Sequence, residues 1–236
     1  MLQEAREDVV LIAALCSIRA HLAVMCGREA EAKELFARAR RAVDERDLHR
    51  DGYFALQLGL AAPNFVEASV LEDELRASCQ ALEAVGDRTQ YSSVAALLAR
   101  TLCARGRYVE AEHYTRVSED AAGPNDVASQ IMWRSTRGKV LAHRGELEAA
   151  DLLASEAVRF ATESDFLNSH ADALMDLAEV QQLAGRLEES RASVNQALLL
   201  YERKGNVASA ARARGGTGSR QQPPGEGRQR PGFVDC

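Results

Sequence analysis

Gly138-Lys139-Val140-Leu141-Ala142-His143-Arg144-Gly145-Glu146-Leu147-Glu148-Ala149-Ala150 decides the fold. An apolar-periodic stretch ends at Gly145, and Glu146 to Ala150 opens a second one. Glycine tolerates the left-handed conformation that closes a helix C-terminus. Glutamates favour the first turn of the helix that follows, where the backbone dipole is positive. The stretch therefore reads as a helix A, a tight turn and a helix B.

The same pattern recurs outward in both directions. Gly27-Arg28-Glu29-Ala30-Glu31-Ala32, Gly106-Arg107-Tyr108-Val109-Glu110-Ala111 and Gly185-Arg186-Leu187-Glu188-Glu189-Ser190 repeat it, and Pro63-Asn64-Phe65-Val66-Glu67-Ala68 is a degenerate copy. The turns at 27, 63, 106, 145 and 185 lie about 39 to 40 residues apart on average, a period in the range of helical repeat arrays. Five residues after each turn stand Ala32, Ala68, Ala111, Ala150 and Ser190. Seven before it stand Ala20, Leu56, Ala99, Gly138 and Ala178, and twelve after it Ala39, Leu75, Ser118, Ala157 and Ala197. Most are small, as a close helix–helix contact requires.

The expected architecture is all-α, a right-handed superhelix of about five antiparallel helix pairs. The spacing predicts helices over 8–26 and 29–46, 50–61 and 65–85, 88–104 and 108–121, 126–143 and 147–162, 166–184 and 187–204. Asp87, Asn125 or Asp126, and Ser164 or Asp165 are candidate N-caps. A sixth helix begins at Val207-Ala208-Ser209-Ala210-Ala211-Arg212 without a helix B to follow. The array is thus expected to be cut off, by a shifted reading frame or a fragmentary gene. The chain divides into a repeat domain, 1–214, and a tail, 215–236. The tail holds six of the glycines and three of the five prolines, has no hydrophobic period and is expected to be disordered.

Composition agrees with helices. Of the 236 residues 46% are hydrophobic, 27% charged and only 5% aromatic. The net charge is -6; the tail contributes +1, so the repeat body is acidic, a poor match for nucleic acid. The cysteines, Cys16, Cys26, Cys79, Cys103 and Cys236, are odd in number and lack C-x-x-C spacing. They read as small core residues in a reducing cytoplasm. Val9 to Cys16 is apolar but too short to span a bilayer, and acids precede it where a signal peptide is basic. It reads as part of a buried helix.

The repeat resembles the tetratricopeptide repeat over about residues 8–204. Small residues recur on both helices, and Phe36, Tyr114 and Val194 stand near the large helix B position. The period is longer than that family's 34, and the second unit lacks its glycine. The longer unit resembles the helical regions of multidomain bacterial signalling proteins: LuxR-type regulators similar to the maltose regulator, and class III adenylate or guanylate cyclases with an AAA-type ATPase module. The stretch 81–214 is most similar to the latter, through Val94-Ala95-Ala96-Leu97-Leu98-Ala99, Asp126-Val127-Ala128-Ser129-Gln130, Ala173-Leu174-Met175-Asp176-Leu177-Ala178-Glu179-Val180 and Leu200-Tyr201-Glu202-Arg203-Lys204-Gly205-Asn206.

Catalytic signatures are scarce in the sequence. Gly215-Gly216-Thr217-Gly218-Ser219-Arg220 lacks phosphate-loop spacing, and Gly138-Lys139 lacks the upstream glycine. His21, His49, His113, His143 and His170 make no metal-ligand pair, and His49 between Asp47 and Asp51 reads as a solvated turn. No nucleophile elbow is present. No enzyme activity, cofactor or metal is expected. Trp133 is either a core residue or an interface anchor.

One row stands out. Six residues before the turns lie His21, Gln57, Arg100, Lys139 and Glu179, all polar on apolar-rich helices. The tetratricopeptide resemblance implies that this position faces the concave groove where peptides dock. The row reads either as a partner-binding ladder, with Arg100 and Lys139 receiving a carboxylate, or as a solvated helix face. The expected function is a protein–protein interaction or regulatory scaffold, the sensor part of a larger bacterial signalling protein. Its partner would be a protein or peptide segment or another domain of its parent, not nucleic acid or membrane. The alternatives are a fragment of a nucleotide cyclase or nucleotide-dependent regulator, and a superhelix that senses a small ligand.

Overall fold

A computed structural model describes residues 2–46, 52–61 and 67–218. Among these residues there are eleven helices and no strand. They are α1 (Leu2–Met25), α2 (Glu29–Arg46), α3 (Tyr53–Ala61), α4 (Ala68–Val85), α5 (Arg88–Ala104), α6 (Tyr108–Ala121), α7 (Val127–His143), α8 (Leu147–Thr162), α9 (Leu167–Leu183), α10 (Leu187–Lys204) and α11 (Val207–Gly218). The turns at Pro63 and around His49 lie outside the described residues.

The glycine turns close as their position requires. Gly145 has φ 84°, its N–H donates to the Ala142 carbonyl, and the N–H of Glu146 reaches back to the Leu141 carbonyl, each at 3.0 Å. This double bond satisfies carbonyls that the helix end leaves orphaned. The same pair of bonds recurs at Gly27, Gly86, Gly106, Gly185 and Gly205. Asp87 and Asp126 cap α5 and α7 through Gln90 and Ser129. Neither Ser164 nor Asp165 caps α9. Phe166 occupies that place without a side-chain bond, and Ser164 accepts only the N–H of Phe166.

Helices of a pair pack on each other, α1 with α2, α5 with α6, α7 with α8 and α9 with α10. The small positions lie in those contacts. Ala39, Leu75, Ser118, Ala157 and Ala197, twelve residues after the turns, are all fully buried. Ala32, Ala111 and Ala150 are too, but Ala68 is exposed, because the degenerate unit starts its second helix at that residue. Ser190 replaces van der Waals contact by a 2.8 Å hydrogen bond to the Ala178 carbonyl. Trp133 is core: 3% exposed, its Nε1 donates to Gln130, and Arg134 and Arg137 lie against its ring. Cys16, Cys79 and Cys103 are buried free thiols, and burial pushes Cys79 up to about 12 and Cys103 up to about 11; Cys26 is exposed.

The sixth helix expected from Val207 is α11, which runs to Gly218. It is held by Ala210 and Ala213, which are buried with Leu174, Ala197 and Tyr201. Residues 219–236 of the expected tail lie outside the described residues. The stretch Val9 to Cys16 is not uniformly buried. Ala13 and Cys16 face the core, whereas Leu11, Ile12 and Leu15 are 56%, 39% and 50% exposed. No helix among the described residues is long and apolar enough to cross a membrane.

The A helices α1, α3, α5, α7 and α9 stack on one another in order, and α11 touches α1. The first and last described helices therefore touch.

Candidate functional site

Repeat spacing puts the predicted row on successive A helices, where two pairs of its members meet. His21 Nδ1 lies 3.0 Å from Gln57 Oε1, linking α1 to α3. Lys139 Nζ of α7 lies 2.9 Å from Glu179 Oε2 and 3.2 Å from Asp176 Oδ1, both on α9. Arg100 of α5 reaches across α7 to the same helix, 3.7 Å from Asp172 and 3.7 Å from Asp176. His143 Nε2 is 3.1 Å from Glu179 Oε1, and its ring stacks on Tyr108.

The expected pair of cations waiting for a partner's carboxylate is thus already met by carboxylates of the chain itself. Asp172, Asp176 and Glu179 sit at i, i+4 and i+7 on α9 and form one acidic edge. Against them Arg100 and Lys139 are held firmly protonated. The Asp176 charge lifts the Arg100 guanidinium above its ordinary value against the opposing effect of burial. Burial alone would lower Lys139, but Asp176 and Glu179 outweigh it and the net direction is up. Tyr201 donates to Asp172 Oδ1, and burial together with that carboxylate raises the phenol. Sequence reasoning found Glu179 but missed Asp172, Asp176 and Tyr201. The i, i+4, i+7 spacing of the acids was a legible signal; Tyr201, on the next helix, left none.

Where α1 and α11 touch, a cavity of about 260 Å³ opens between α1, α3, α9 and α11. His21, Met25 and Leu60 line one side, Asn168 and Asp172 the other, and Arg212 the lip. Asn206 ties this region together. Its Nδ2 donates to Asn168 Oδ1 at 3.1 Å, its Oδ1 caps α11 by accepting from the Ser209 N–H, and Asn168 Nδ2 points to the Met25 sulfur at 3.6 Å. The cavity is continuous in lining with the ladder through His21 and Asp172. It offers hydrogen-bonding groups of both kinds beside an apolar wall, an arrangement that can orient a ligand.

Among the described residues, no group of three or more His, Cys, Asp or Glu side chains is placed to hold a metal ion. No protein-family model matches the chain. No curated protein matches it either.

Proposed function

We propose that the chain is an interaction module, a tetratricopeptide-like right-handed superhelix that holds a protein segment against the inner face of its A helices. The supporting observation is the juxtaposition of the polar row's two linked groups, His21 with Gln57 and Arg100 and Lys139 with the α9 acids, with a cavity that His21 and Asp172 line. A docked segment runs along Gln57, Arg100 and Lys139 and seats one side chain in the cavity. Because Arg100 and Lys139 are already paired, a partner carboxylate exchanges with Asp172 or Asp176 rather than filling an empty place. Such exchange gives specificity more than affinity. Micromolar binding, about -8 kcal/mol, is the expected range.

The module belongs, on this reading, to a larger cytoplasmic bacterial signalling protein of the cyclase or LuxR-regulator kind, with any catalysis residing in other domains. This rests on the sequence resemblance alone. The cavity favours a second reading, a small polar ligand held at the seam between α1 and α11, which would make the superhelix a sensor.

Peptides selected from a random library against the chain test the first reading. Leu60→Trp fills the cavity from α3 and should abolish their binding, whereas Leu199→Trp, on the exposed side of α10, should not. Selected peptides indifferent to Leu60→Trp would move the site elsewhere. A metabolite that raises the melting temperature of the chain, but not of Leu60→Trp, would favour the sensor.

A further inference from the structure

Beside the cavity, between α5, α7 and α9, lies a polar niche of about 20 Å³. Leu60, Ser169 and Asp172 line both spaces, so the two adjoin. The other polar walls of the niche are Arg100 of α5, Ser135 and Thr136 of α7 and Asp176 of α9. Serine and threonine inside a helix commonly return their hydroxyl to a carbonyl of the preceding turn, as Ser17, Thr101 and Thr162 do here. Ser135 and Thr136 do not. They are 2% and 1% exposed, and neither hydroxyl has a hydrogen-bond partner among the described residues. Arg100 lies 3.7 Å from Asp172 Oδ2 and 3.7 Å from Asp176 Oδ2, beyond hydrogen-bond reach of both. Buried polar groups ordinarily find a partner. The niche has room for one, since about 10–15 Å³ of free volume holds an atom the size of a water oxygen. Its walls belong to α3, α5, α7 and α9, so it does not depend on the ends of the described chain.

We propose that this niche takes the ammonium of a primary alkylamine, a lysine side chain of a docked segment or a small free amine, whose carbon chain lies in the adjoining cavity. The proposal rests on the reading of that cavity as the seat of one side chain or one small ligand. An ammonium has three N–H donors and no acceptor. The niche offers it four oxygens, the hydroxyls of Ser135 and Thr136 and the Oδ2 atoms of Asp172 and Asp176. Charge points the same way. Two permanent cations, Arg100 and Lys139, meet three carboxylates of α9, Asp172, Asp176 and Glu179, and one negative charge is left over. An ammonium cancels it, a hydroxyl leaves it, and a carboxylate reaches Arg100 only by displacing an acid. Val24, Met25 and Leu60 give the cavity an apolar wall for an alkyl chain to follow. Lys204 and Arg212 also line the cavity, but both are exposed, as is Asp165 with them, and solvent screens them.

The probe is butylamine, a lysine side chain without its backbone. It is titrated into the full chain at neutral pH, where it is protonated, and followed by amide chemical shifts. Saturable binding is expected, at least tenfold tighter than that of butan-1-ol, its uncharged counterpart. Ser135→Ala with Thr136→Val should weaken it about tenfold. Thr136→Val alone is the milder variant, for use if the pair lowers the melting temperature. Ser118→Ala removes another buried unpaired hydroxyl, on α6 and outside the niche, and should leave binding unchanged. No saturable binding, equal binding of butan-1-ol, or binding that neither niche variant weakens would overturn the proposal, and the niche would then hold an ordered water only. Butylamine needs no docked segment, so this failure is distinct from selected peptides that ignore Leu60→Trp. Those peptides tell the two sources apart. Loss of binding when one lysine is replaced by norleucine assigns the niche to a partner's side chain, and retention at every lysine, with butylamine bound, assigns it to a free amine.

Discussion

Lys139 of α7 and Arg100 of α5 converge on one carboxylate of α9, Asp176, from 3.2 and 3.7 Å. A single buried acid thereby ties three successive A helices, and two members of the candidate ladder are structural. Asp176→Asn should lower stability by an amount between the ~1 kcal/mol of an exposed pair and the ~3–5 kcal/mol of a fully buried one. Arg100→Glu with Lys139→Glu should cost more, because it sets two new negative charges against Asp172, Asp176 and Glu179. Denaturant titration of both variants checks this. An Asp176→Asn protein as stable as the parent would show that solvent screens the network.

Helices α7 and α8 approach closely at Gly138. A β-carbon there would lie 3.0 Å from the Ala150 carbonyl oxygen and 3.3 Å from Ala154 Cβ. Gly138→Leu and Ala150→Leu should each destabilise by about 1–3 kcal/mol through overpacking. The thermal melt of either variant reads this directly, and a neutral result would place the contact elsewhere.

Acid should weaken the array through Glu72. Glu72, nearly buried on α4, accepts from Arg76, Arg105 and Arg107. Burial raises its carboxyl, but the hydrogen bonds from Arg76 and Arg107 prevail and hold it below its ordinary 4.5. A depressed carboxylate stabilises the fold above its unfolded value, and that contribution disappears as pH falls through the folded one. The melting temperature should therefore drop below about pH 4.5. Glu72→Gln should be less stable at neutral pH and fall less steeply in acid. Parallel pH profiles of the two proteins would exclude Glu72 as a source of the drop.

The closing helix α11 is anchored by small residues. Ala213, 1% exposed, should not tolerate a charge: Ala213→Glu buries it without a partner and should cost several kcal/mol. Ala211→Glu, on the exposed side of the same helix, should fall within about 0.5 kcal/mol of the parent. Equal effects at both positions would mean that α11 is not packed in solution.

Local chemistry made much of this protein legible in one dimension. A glycine that must adopt positive φ and an aspartate that caps a first turn each depend on neighbours within about one helical turn, and a small residue between two helices recurs at a fixed distance from that turn. Gly145, Ala157 and Asp126 could therefore be placed from spacing alone, and with them the helix pairs. The row from His21 to Glu179 was also legible as a row, because one position per repeat falls on one face. What each member does was not. Asp176 lies 37 residues from Lys139, and Asn168 lies 143 from Met25. Such contacts depend on how each unit is rotated against the next, a sum of small packing displacements that no single segment encodes. Only the tertiary structure decided that the ladder neutralises itself, that α11 returns to α1 beside a cavity, and that Leu11, Leu15, Ile18 and Leu22 are exposed among the described residues. Whether an apolar stripe is core or surface depends on what stacks against it, and the stripe itself looks the same in either case.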